Sequence, residues 1–340
     1  MVLNLPYDLR YNFARFAARQ KIMRLKRYEI GTVFRQRENP MNPQELLECA
    51  FDILAPQADF THAIVELLSL IAAIVEEFSF VKYSDLQIKI NHLGLLKAFM
   101  ENCSVTESEM QQKVLETLSS LKSKSQREYA ICDLLKEWKI TAPKLVELVS
   151  KERCLSDALQ WFAQDAHTYD LYLSELKRII NMAELVCGQL AIYVDFGCVV
   201  YPNIYTDVVF CVTESKKLFK LREGCQQDCV AIGGCYSNLM RNLLGPGFKN
   251  QPVPLTAVGL SFWFDRLFFT LAQDSVACEQ NLDSSSRVLI ISIGNDWKIE
   301  QKFRLMKMLR ANKFPPTVGT NPVNRWNKRS AGHAGCTLAV

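Results

Sequence analysis

The chain has 340 residues, of which 49% are hydrophobic and 22% charged, a balance that is ordinary for a globular protein with one large domain and part of another. No charged-then-apolar leader opens the sequence, and the longest early apolar run, 67–75, is too short to cross a bilayer, so we expect a cytoplasmic protein without export or a membrane partner. The twelve cysteines should then be mostly reduced, and we expect no metal, because Cys225, Cys229 and Cys235 lack the spacing and the histidine neighbours of a zinc site.

The net charge of +4 hides a strong segregation of basic residues. Residues 1–40 carry a net +6 and residues 301–340 a net +8, which leaves −10 for the stretch between them. Two basic ends on an acidic body suit a phosphate-rich partner such as tRNA. On charge alone, the alternative is that these side chains only contact water.

The chain opens with a short strand over 1–6, and a basic amphipathic helix follows over about 9–21. Phe13, Phe16 and Ala17 mark one face of this helix, and its arginines are predicted to lie off that face. Six basic residues are the candidates for contacting tRNA: Arg10, Arg15, Arg19, Arg24, Lys26 and Arg27.

A strand, a polar loop and a returning strand are predicted over about 25–55, with Arg35 at the end of the first strand. A linker separates this hairpin from an apolar helix over about 61–78, and an alternating strand follows at 86–90. His92 then leads into a further helix, where we expect it to cap or to pack rather than to catalyse.

From about 105 to 187 the pattern is almost wholly helical, and strand patterns then return at about 190–195, 207–213, 228–232 and 255–262. A helix is predicted over 263–272, a polar linker over 279–286, and a buried parallel-type strand over 287–294 that feeds a helix over 297–312. Periodicity is lost after Pro316. One strand and one helix do not complete an α/β domain, so we expect an incomplete domain with an irregular basic tail.

The hairpin and a later segment resemble motifs of class II aminoacyl-tRNA synthetases, the histidyl branch in particular. The sequence Arg-Tyr-Glu-Ile-Gly-Thr-Val-Phe-Arg at 27–35 resembles motif 2, which implies that Arg35 grips the α-phosphate of ATP. Residues 257–267 resemble motif 3, which implies a γ-phosphate contact for Arg266. Because the order and spacing of the motifs agree, the resemblance covers about residues 1–275.

A third segment, 232–236, resembles the Gly-Gly-Arg-Tyr-Asp stretch that lines the histidine pocket of these enzymes. The resemblance implies a vestigial amino-acid pocket lined by Gly233, Gly234 and Tyr236. The arginine and the acid of that stretch are replaced here, by Cys235 and Ser237.

Two further departures fall on charged groups of the enzymes. Arg37 stands where motif 2 places an acid that contacts ATP. The Arg-Gly-Leu-Asp-Tyr-Tyr segment of the histidyl enzymes should fall near 194–201. That stretch has no arginine here, so it lacks the positive charge that would stabilise the substrate carboxylate during adenylation. We therefore expect no adenylation of histidine, no catalytic residue and no cofactor, with ATP binding as the alternative.

Segments at 5–15, 25–53 and 91–98 resemble the histidyl-synthetase-like domain of the general-control protein kinase. That resemblance implies a module that senses uncharged tRNA and controls a kinase domain that phosphorylates the alpha subunit of eukaryotic initiation factor two. The kinase motifs themselves are missing from this sequence. Asp195-Phe196-Gly197 spells a kinase motif, but no catalytic loop or Gly-rich loop precedes it, so we interpret it as coincidence.

The sequence thus predicts an α+β fold: a class II synthetase-like antiparallel sheet with flanking helices and a helical insertion, plus a partial α/β anticodon-binding-like piece. The predicted domains are 1–278, with the insertion at about 105–187, and 287–340, joined by the linker at 279–286. The predicted function is a catalytically inactive regulatory module whose partners are uncharged tRNA and a kinase domain, with a homodimer as a further partner state. The alternatives are an active histidyl-tRNA synthetase and a dimerisation scaffold without RNA binding.

Overall fold

The computed structural model divides the chain into two compact units, residues 1–270 and 271–340, which are described separately. The structure describes residues 5–35, 43–56, 60–77, 86–121, 124–163, 166–214, 229–245 and 255–263 of the first unit, and 288–290, 304–305, 307–308, 316–318 and 337–339 of the second.

Seven strands in the described part of the first unit form one sheet, and helices flank it. The strands are β1 (Leu25–Arg35), β2 (Gln44–Ala55), β3 (Leu86–His92), β4 (Ala191–Val194), β5 (Val208–Glu214), β6 (Cys229–Cys235) and β7 (Thr256–Trp263). The helices are α1 (Leu9–Arg19), α2 (Thr61–Glu77), α3 (Leu93–Asn102), α4 (Ser108–Ser120), α5 (Lys124–Glu137), α6 (Pro143–Ser150), α7 (Leu155–Trp161), α8 (Ala166–Val186) and α9 (Ser237–Leu244).

The strand order in this sheet is β1-β2-β7-β6-β5-β3-β4, and every neighbouring pair is antiparallel except β3 with β4. The predicted antiparallel sheet, the motif 2-like hairpin of β1 and β2, and the helical insertion of α4 to α8 are confirmed. The sequence did not predict α9. The helix expected over 263–272 falls almost wholly outside the described residues.

The two glycines of β6 are needed because neighbouring strands approach closely. A Cβ on Gly233 would lie 2.4 Å from the Phe210 ring and 2.5 Å from the carbonyl oxygen of Gly259. One on Gly234 would lie 2.5 Å from the carbonyl oxygen of Val208. Any larger residue at these positions would push the central strands apart, so both glycines serve sheet packing.

The helical insertion is attached to the sheet by buried polar contacts. Arg127 of α5 donates from Nη1 to both carboxylate oxygens of Asp195, at 3.1 Å each. Asn91, at the end of β3, donates to the carbonyl oxygens of Phe196 and Cys198. The loop that follows β4 is therefore held from two sides.

His92 has the predicted capping role. Its Nδ1 accepts from the backbone N–H of Leu95 at the start of α3, and its Nε2 lies 3.0 Å from Glu175 of α8. Since Nδ1 accepts, the proton of the neutral imidazole lies on Nε2 and is donated to the carboxylate. The residue joins two helices and the end of a strand.

In the second unit, β8 (Val288–Ile290), β9 (Pro316–Val318) and β10 (Thr337–Ala339) form a parallel sheet in the order β10-β8-β9. Helical residues lie between the first two strands, at 304–305 and 307–308. The strand and the helix predicted after 287 agree with this arrangement. Two short strands lie in the tail for which the sequence predicted no regular structure. Within the described residues, no helix is long and apolar enough to cross a membrane.

Candidate functional site

A buried ionic cluster lies between α1 and the centre of the sheet. Its members are Arg10, Glu48, Asp52, Tyr205, Tyr236 and Ser261, each at most 3% exposed, and we call them the Arg10 cluster. Arg10 donates from Nε to Asp52 Oδ1 at 2.9 Å, and from Nη1 to the Tyr205 hydroxyl and to Ser261 Oγ, the latter at 3.1 Å. Its guanidinium carbon also lies 5.6 Å from the ring centroids of both tyrosines.

Helical periodicity places Arg10 in this cluster. Arg10, Phe13, Ala14 and Ala17 follow the i, i+3, i+4, i+7 spacing of one helix face, and all four are buried against the sheet. Asp8 begins the helix by accepting from the backbone N–H of Tyr11 at 2.7 Å. The prediction that Arg10 lies off the apolar face with the other arginines is therefore wrong. Phe16, predicted on that face, is 55% exposed.

Gly259 leaves the space that the guanidinium occupies. It pairs with Asp52 across β2 and β7, and a Cβ there would lie 2.3 Å from Arg10 Nε and 2.5 Å from Asp52 Oδ1. Backbone atoms and a fixed ion pair do not yield by that much. The absence of a side chain at this position is thus a condition for the buried pair.

Donors from three residues surround the carboxylate of Asp52. Oδ1 accepts from Arg10 Nε and from the Tyr236 hydroxyl, both at 2.9 Å. Oδ2 accepts from Arg27 Nε at 3.1 Å and lies 2.9 Å from Arg27 Nη2, which donates to the carbonyl oxygen of Leu9. A carboxylate offers about four acceptor positions, so an incoming ammonium or imidazole would have to compete with these donors.

Neighbouring side chains, rather than water, stabilise the charge of Arg10 in this buried cluster. Burial opposes the charge on Arg10, but Tyr205, Asp52, Tyr236 and Glu48 outweigh it, and the pKa of Arg10 is raised. Burial, followed by the neighbouring Asp52, raises the pKa of Tyr236 well above its usual value. Arg10 therefore stays a cation and Tyr236 a neutral donor throughout the accessible pH range.

Glu48 lies on the same face of β2 as Asp52, and neither of its carboxylate oxygens has a hydrogen-bond partner among the described residues. Burial raises the pKa of Glu48, and the nearby Ser261 and Arg10 offset only part of that effect. The folded protein therefore holds the proton on Glu48 at pH values where the unfolded chain has released it. The contribution of Glu48 to the free energy of unfolding is therefore greatest at pH values below its pKa in the unfolded chain. It is lost as the pH rises through the pKa of Glu48 in the folded protein.

Replacing Glu48 with glutamine is expected to remove this pH dependence. Relative to the wild type, Glu48→Gln should become more stable as pH rises from about 4.5 to 7, by about 1.4 kcal/mol for each unit by which folding raises the pKa. Urea unfolding at several pH values measures the effect. Glu45→Gln, on the exposed side of the same strand, is the matched control and should follow the wild type. A constant difference between Glu48→Gln and wild type across this range would contradict the assignment.

Of the other five predicted tRNA-binding residues, only Arg27 contacts the Arg10 cluster. Arg15, Arg19 and Arg24 are exposed at α1 and the turn after it, with no acid partner among the described residues. Lys26 is exposed and pairs with Glu66 at 2.7 Å. Arg27 is mostly buried; besides binding Asp52, its guanidinium stacks 3.7 Å from the centroid of the Phe13 ring. Only the first three thus present unpaired charge to solvent.

The structure gives the surroundings of all the predicted nucleotide and amino-acid residues except Arg266. Arg35 ends β1, and its guanidinium carbon lies 3.8 Å from the centroid of the Tyr7 ring. Arg266 lies outside the described residues. Gly233 and Gly234 pack between strands, whereas Tyr236 belongs to the Arg10 cluster. No group of three or more His, Cys, Asp or Glu side chains that could hold a metal occurs among the described residues.

Four members of the Arg10 cluster were not predicted as site residues: Glu48, Asp52, Tyr205 and Ser261. Two signals pointed to them. Glu48 and Asp52 interrupt an otherwise apolar returning strand at spacing i, i+4, which places both on one face of it. The spacing of Arg10 with Phe13 likewise places an arginine on the apolar face of a helix.

Two comparisons relate this sequence to known proteins. The model of the histidyl-tRNA synthetase family matches residues 8–267. The chain is 28% identical over 305 residues to the eIF-2-alpha kinase GCN2 of Mus musculus, which covers 86% of this chain and 18% of that protein. It is 27% identical over 308 residues to the cytoplasmic histidine–tRNA ligase of Oryza sativa subsp. japonica, covering 86% and 36%. The chain thus spans less than a fifth of the GCN2 kinase and about a third of the ligase.

Solved structures with the same fold are also known. Histidyl-tRNA synthetase from Nostoc sp. PCC 7120 superimposes with a TM-score of 0.64 at 16% identity, over 97% of this chain and 72% of that one. An ATP phosphoribosyltransferase regulatory subunit/histidyl-tRNA synthetase from Bacillus halodurans gives 0.63 at 15%, over 98% and 78%. These likenesses confirm the predicted class II synthetase-like fold.

Proposed function

From the premise that this chain belongs to the histidyl-tRNA synthetase family, we propose that it is a regulatory module without synthetase chemistry. It binds uncharged tRNA and thereby controls a linked kinase that acts on translation initiation in amino-acid starvation, in the cytoplasm. The observation that carries the proposal is the buried Arg10, whose side chain occupies the space against Asp52 and Tyr236.

The proposed lack of enzymatic activity is supported by the way the Arg10 cluster uses its polar groups. Adenylation requires a pocket that holds the amino acid while its carboxylate attacks the α-phosphate. Here Asp52 is hydrogen-bonded to Arg10, Arg27 and Tyr236, and removing any of these donors would leave a buried charge or hydroxyl without its partner. Arg35, stacked on Tyr7, remains available for a phosphate contact in this proposal.

Binding of tRNA is supported by exposed cations close together in sequence. Arg15 and Arg19 are one helical turn apart on α1, and Arg24 follows in the segment before β1. Because no described acid pairs with them, their charge is available to backbone phosphates, and such contacts give affinity without sequence specificity.

Control of a kinase is supported by the similarity to GCN2 proteins. A tRNA-dependent switch requires that charged and uncharged tRNA bind with different affinity, and that binding biases two states of the kinase. In this proposal the module discriminates between charged and uncharged tRNA, and a neighbouring kinase domain has the two states that tRNA binding biases.

Two assays on the purified chain test the proposal. We expect no histidine-dependent exchange of pyrophosphate into ATP, and we expect binding of deacylated tRNA that weakens steeply as salt rises. Aminoacylated tRNA should bind more weakly at the same salt concentration. Histidine-dependent exchange above background would instead identify an active synthetase, and absence of both activities would favour a dimerisation scaffold.

A further inference from the structure

Three buried thiols meet on one side of the sheet, outside the Arg10 cluster. The sulfur atoms of Cys198 and Cys211 are 3.0 Å apart, and Cys211 is also hydrogen-bonded to Cys229. Each of the three residues is 3% exposed. Cys211 lies in the middle of β5, and Cys229 is diagonal to it at the start of β6, opposite Thr213.

The loop after β4 brings Cys198 onto this strand. The backbone N–H of Gly197 donates to Asp195 Oδ1 at 2.9 Å, and the N–H of Cys198 donates to the carbonyl oxygen of Asp195 at 2.9 Å, which closes a tight turn. Asn91 holds the carbonyl oxygen of Cys198 at 3.0 Å. One sulfur is therefore fixed by a sheet and the other by a clamped loop, so the two stay close without a covalent bond.

We propose that Cys198 and Cys211 are a redox-active pair that a small hydroperoxide oxidises to a disulfide, a modification independent of tRNA binding. Arg127 lies beside the pair: it interacts electrostatically with both thiols, and its side chain packs against Gly197, the residue before Cys198. Hydrogen bonds with Cys198 and Cys229, together with burial, raise the pKa of Cys211, which disfavours Cys211 as the first nucleophile.

The chemistry balances with one hydroperoxide. The Cys198 thiolate attacks a peroxide oxygen, the O–O bond breaks, and a sulfenic acid forms while the departing oxygen takes a proton and leaves as water or an alcohol. The sulfur of Cys211 then attacks the sulfenic sulfur, so that an S–S bond forms, the S–O bond breaks and water departs with the second thiol proton. Two thiols lose two electrons, and the peroxide gains them.

Oxidation would fix the position of the loop that receives the helical insertion. Arg127 of α5 binds Asp195 only three residues before Cys198, so a covalent link to β5 would hold that attachment point to the central sheet. A new link across a short loop also restricts the unfolded chain, and we expect the melting temperature to rise by several degrees on oxidation.

The test treats the full folded chain with hydrogen peroxide, blocks remaining thiols with N-ethylmaleimide in denaturant, and digests it without reductant. Mass spectrometry is expected to find one linked peptide pair joining Cys198 to Cys211, absent before treatment and removed by dithiothreitol. Because both sulfurs are buried, the reaction should take minutes to hours, and peroxide treatment of urea-unfolded chain should give mixed pairings instead.

Single substitutions assign the pair. Cys198→Ser and Cys211→Ser should each abolish the linked peptide and the rise in melting temperature. The control Cys154→Ser, which removes an exposed thiol, should leave the yield unchanged. Should a variant fail to fold, the wild-type peptide map alone decides. A folded wild type that keeps both thiols open to blocking after treatment, or that joins Cys211 to Cys229 instead, would overturn the proposal.

Discussion

Replacing Arg10 with alanine is expected to lower the free energy of unfolding by about 3–5 kcal/mol, the cost typical of removing one partner from a buried ion pair. Without the guanidinium, Tyr205 and Ser261 lose their donor and Glu48 loses the cation that faces it. Asp52 keeps Arg27, but a cavity is left in the place of the side chain. Urea denaturation of the purified variant measures the change.

Two further substitutions separate charge from volume. Arg10→Met retains most of the side-chain volume. It should still show most of the loss in the free energy of unfolding seen for Arg10→Ala, because both variants lack the charge and the hydrogen bonds of the guanidinium. Arg19→Ala, on the exposed side of the same helix, should change stability by no more than about 0.5 kcal/mol. A loss below about 1 kcal/mol for Arg10→Ala would mean that water readily takes the place of the guanidinium. The pocket would then be open to ligands, and the proposed lack of synthetase activity would lose its main support.

Much of the secondary structure was predictable because it depends on local patterns. The hairpin of β1 and β2 shows as two strand patterns around a polar loop, and the period of 3.6 residues reveals the helices of the insertion. α9 was missed because it is only eight residues long and directly follows a strand. It ends at Gly245, whose φ of 82° and ψ of −177° are readily adopted only by glycine.

The Arg10 cluster was less predictable because its contacts join distant parts of the chain. Arg10 and Asp52 are 42 residues apart, and Arg10 and Ser261 are 251 apart. Periodicity identifies a buried arginine, but only the strand order brings β2, β7 and β6 together beneath it. The resemblance to synthetase motifs indicated which charged groups of those enzymes are missing here. The structure shows that the side chain of Arg10 lies between α1 and the sheet, against Asp52 and Tyr236.

The contacts of Arg10 give a physical reason for the proposed lack of synthetase chemistry in a chain of this family. A synthetase pocket must keep polar groups unpaired until the substrate arrives, which costs stability. In the Arg10 cluster most of the polar groups are paired internally, through Arg10 and Arg27. The exceptions are the two carboxylate oxygens of Glu48 and the Nη2 of Arg10, which are buried without a hydrogen-bond partner among the described residues.

Neutralising Arg15, Arg19 and Arg24 together as glutamines is expected to weaken binding of deacylated tRNA about 100-fold at about 0.15 M salt. Each arginine that contacts a phosphate contributes about 0.7–0.9 to the slope of log affinity against log salt, so the slope should fall by about 2–3. Fluorescence anisotropy with labelled tRNA at several salt concentrations measures both quantities. Since all three side chains are exposed, the fold should be retained, and thermal unfolding checks this.

The matched control removes the same charge elsewhere on the chain. Lys113, Lys139 and Lys144 are exposed on or beside the helices of the insertion, and their triple glutamine variant has the same net charge as the arginine variant. If the arginines contact phosphates directly, the control should retain most of the affinity and most of the salt slope. Equal losses in both variants would mean that net charge alone attracts tRNA, because long-range attraction does not depend on where a charge is placed. An unchanged slope in the arginine variant would exclude this face of α1 as the contact surface.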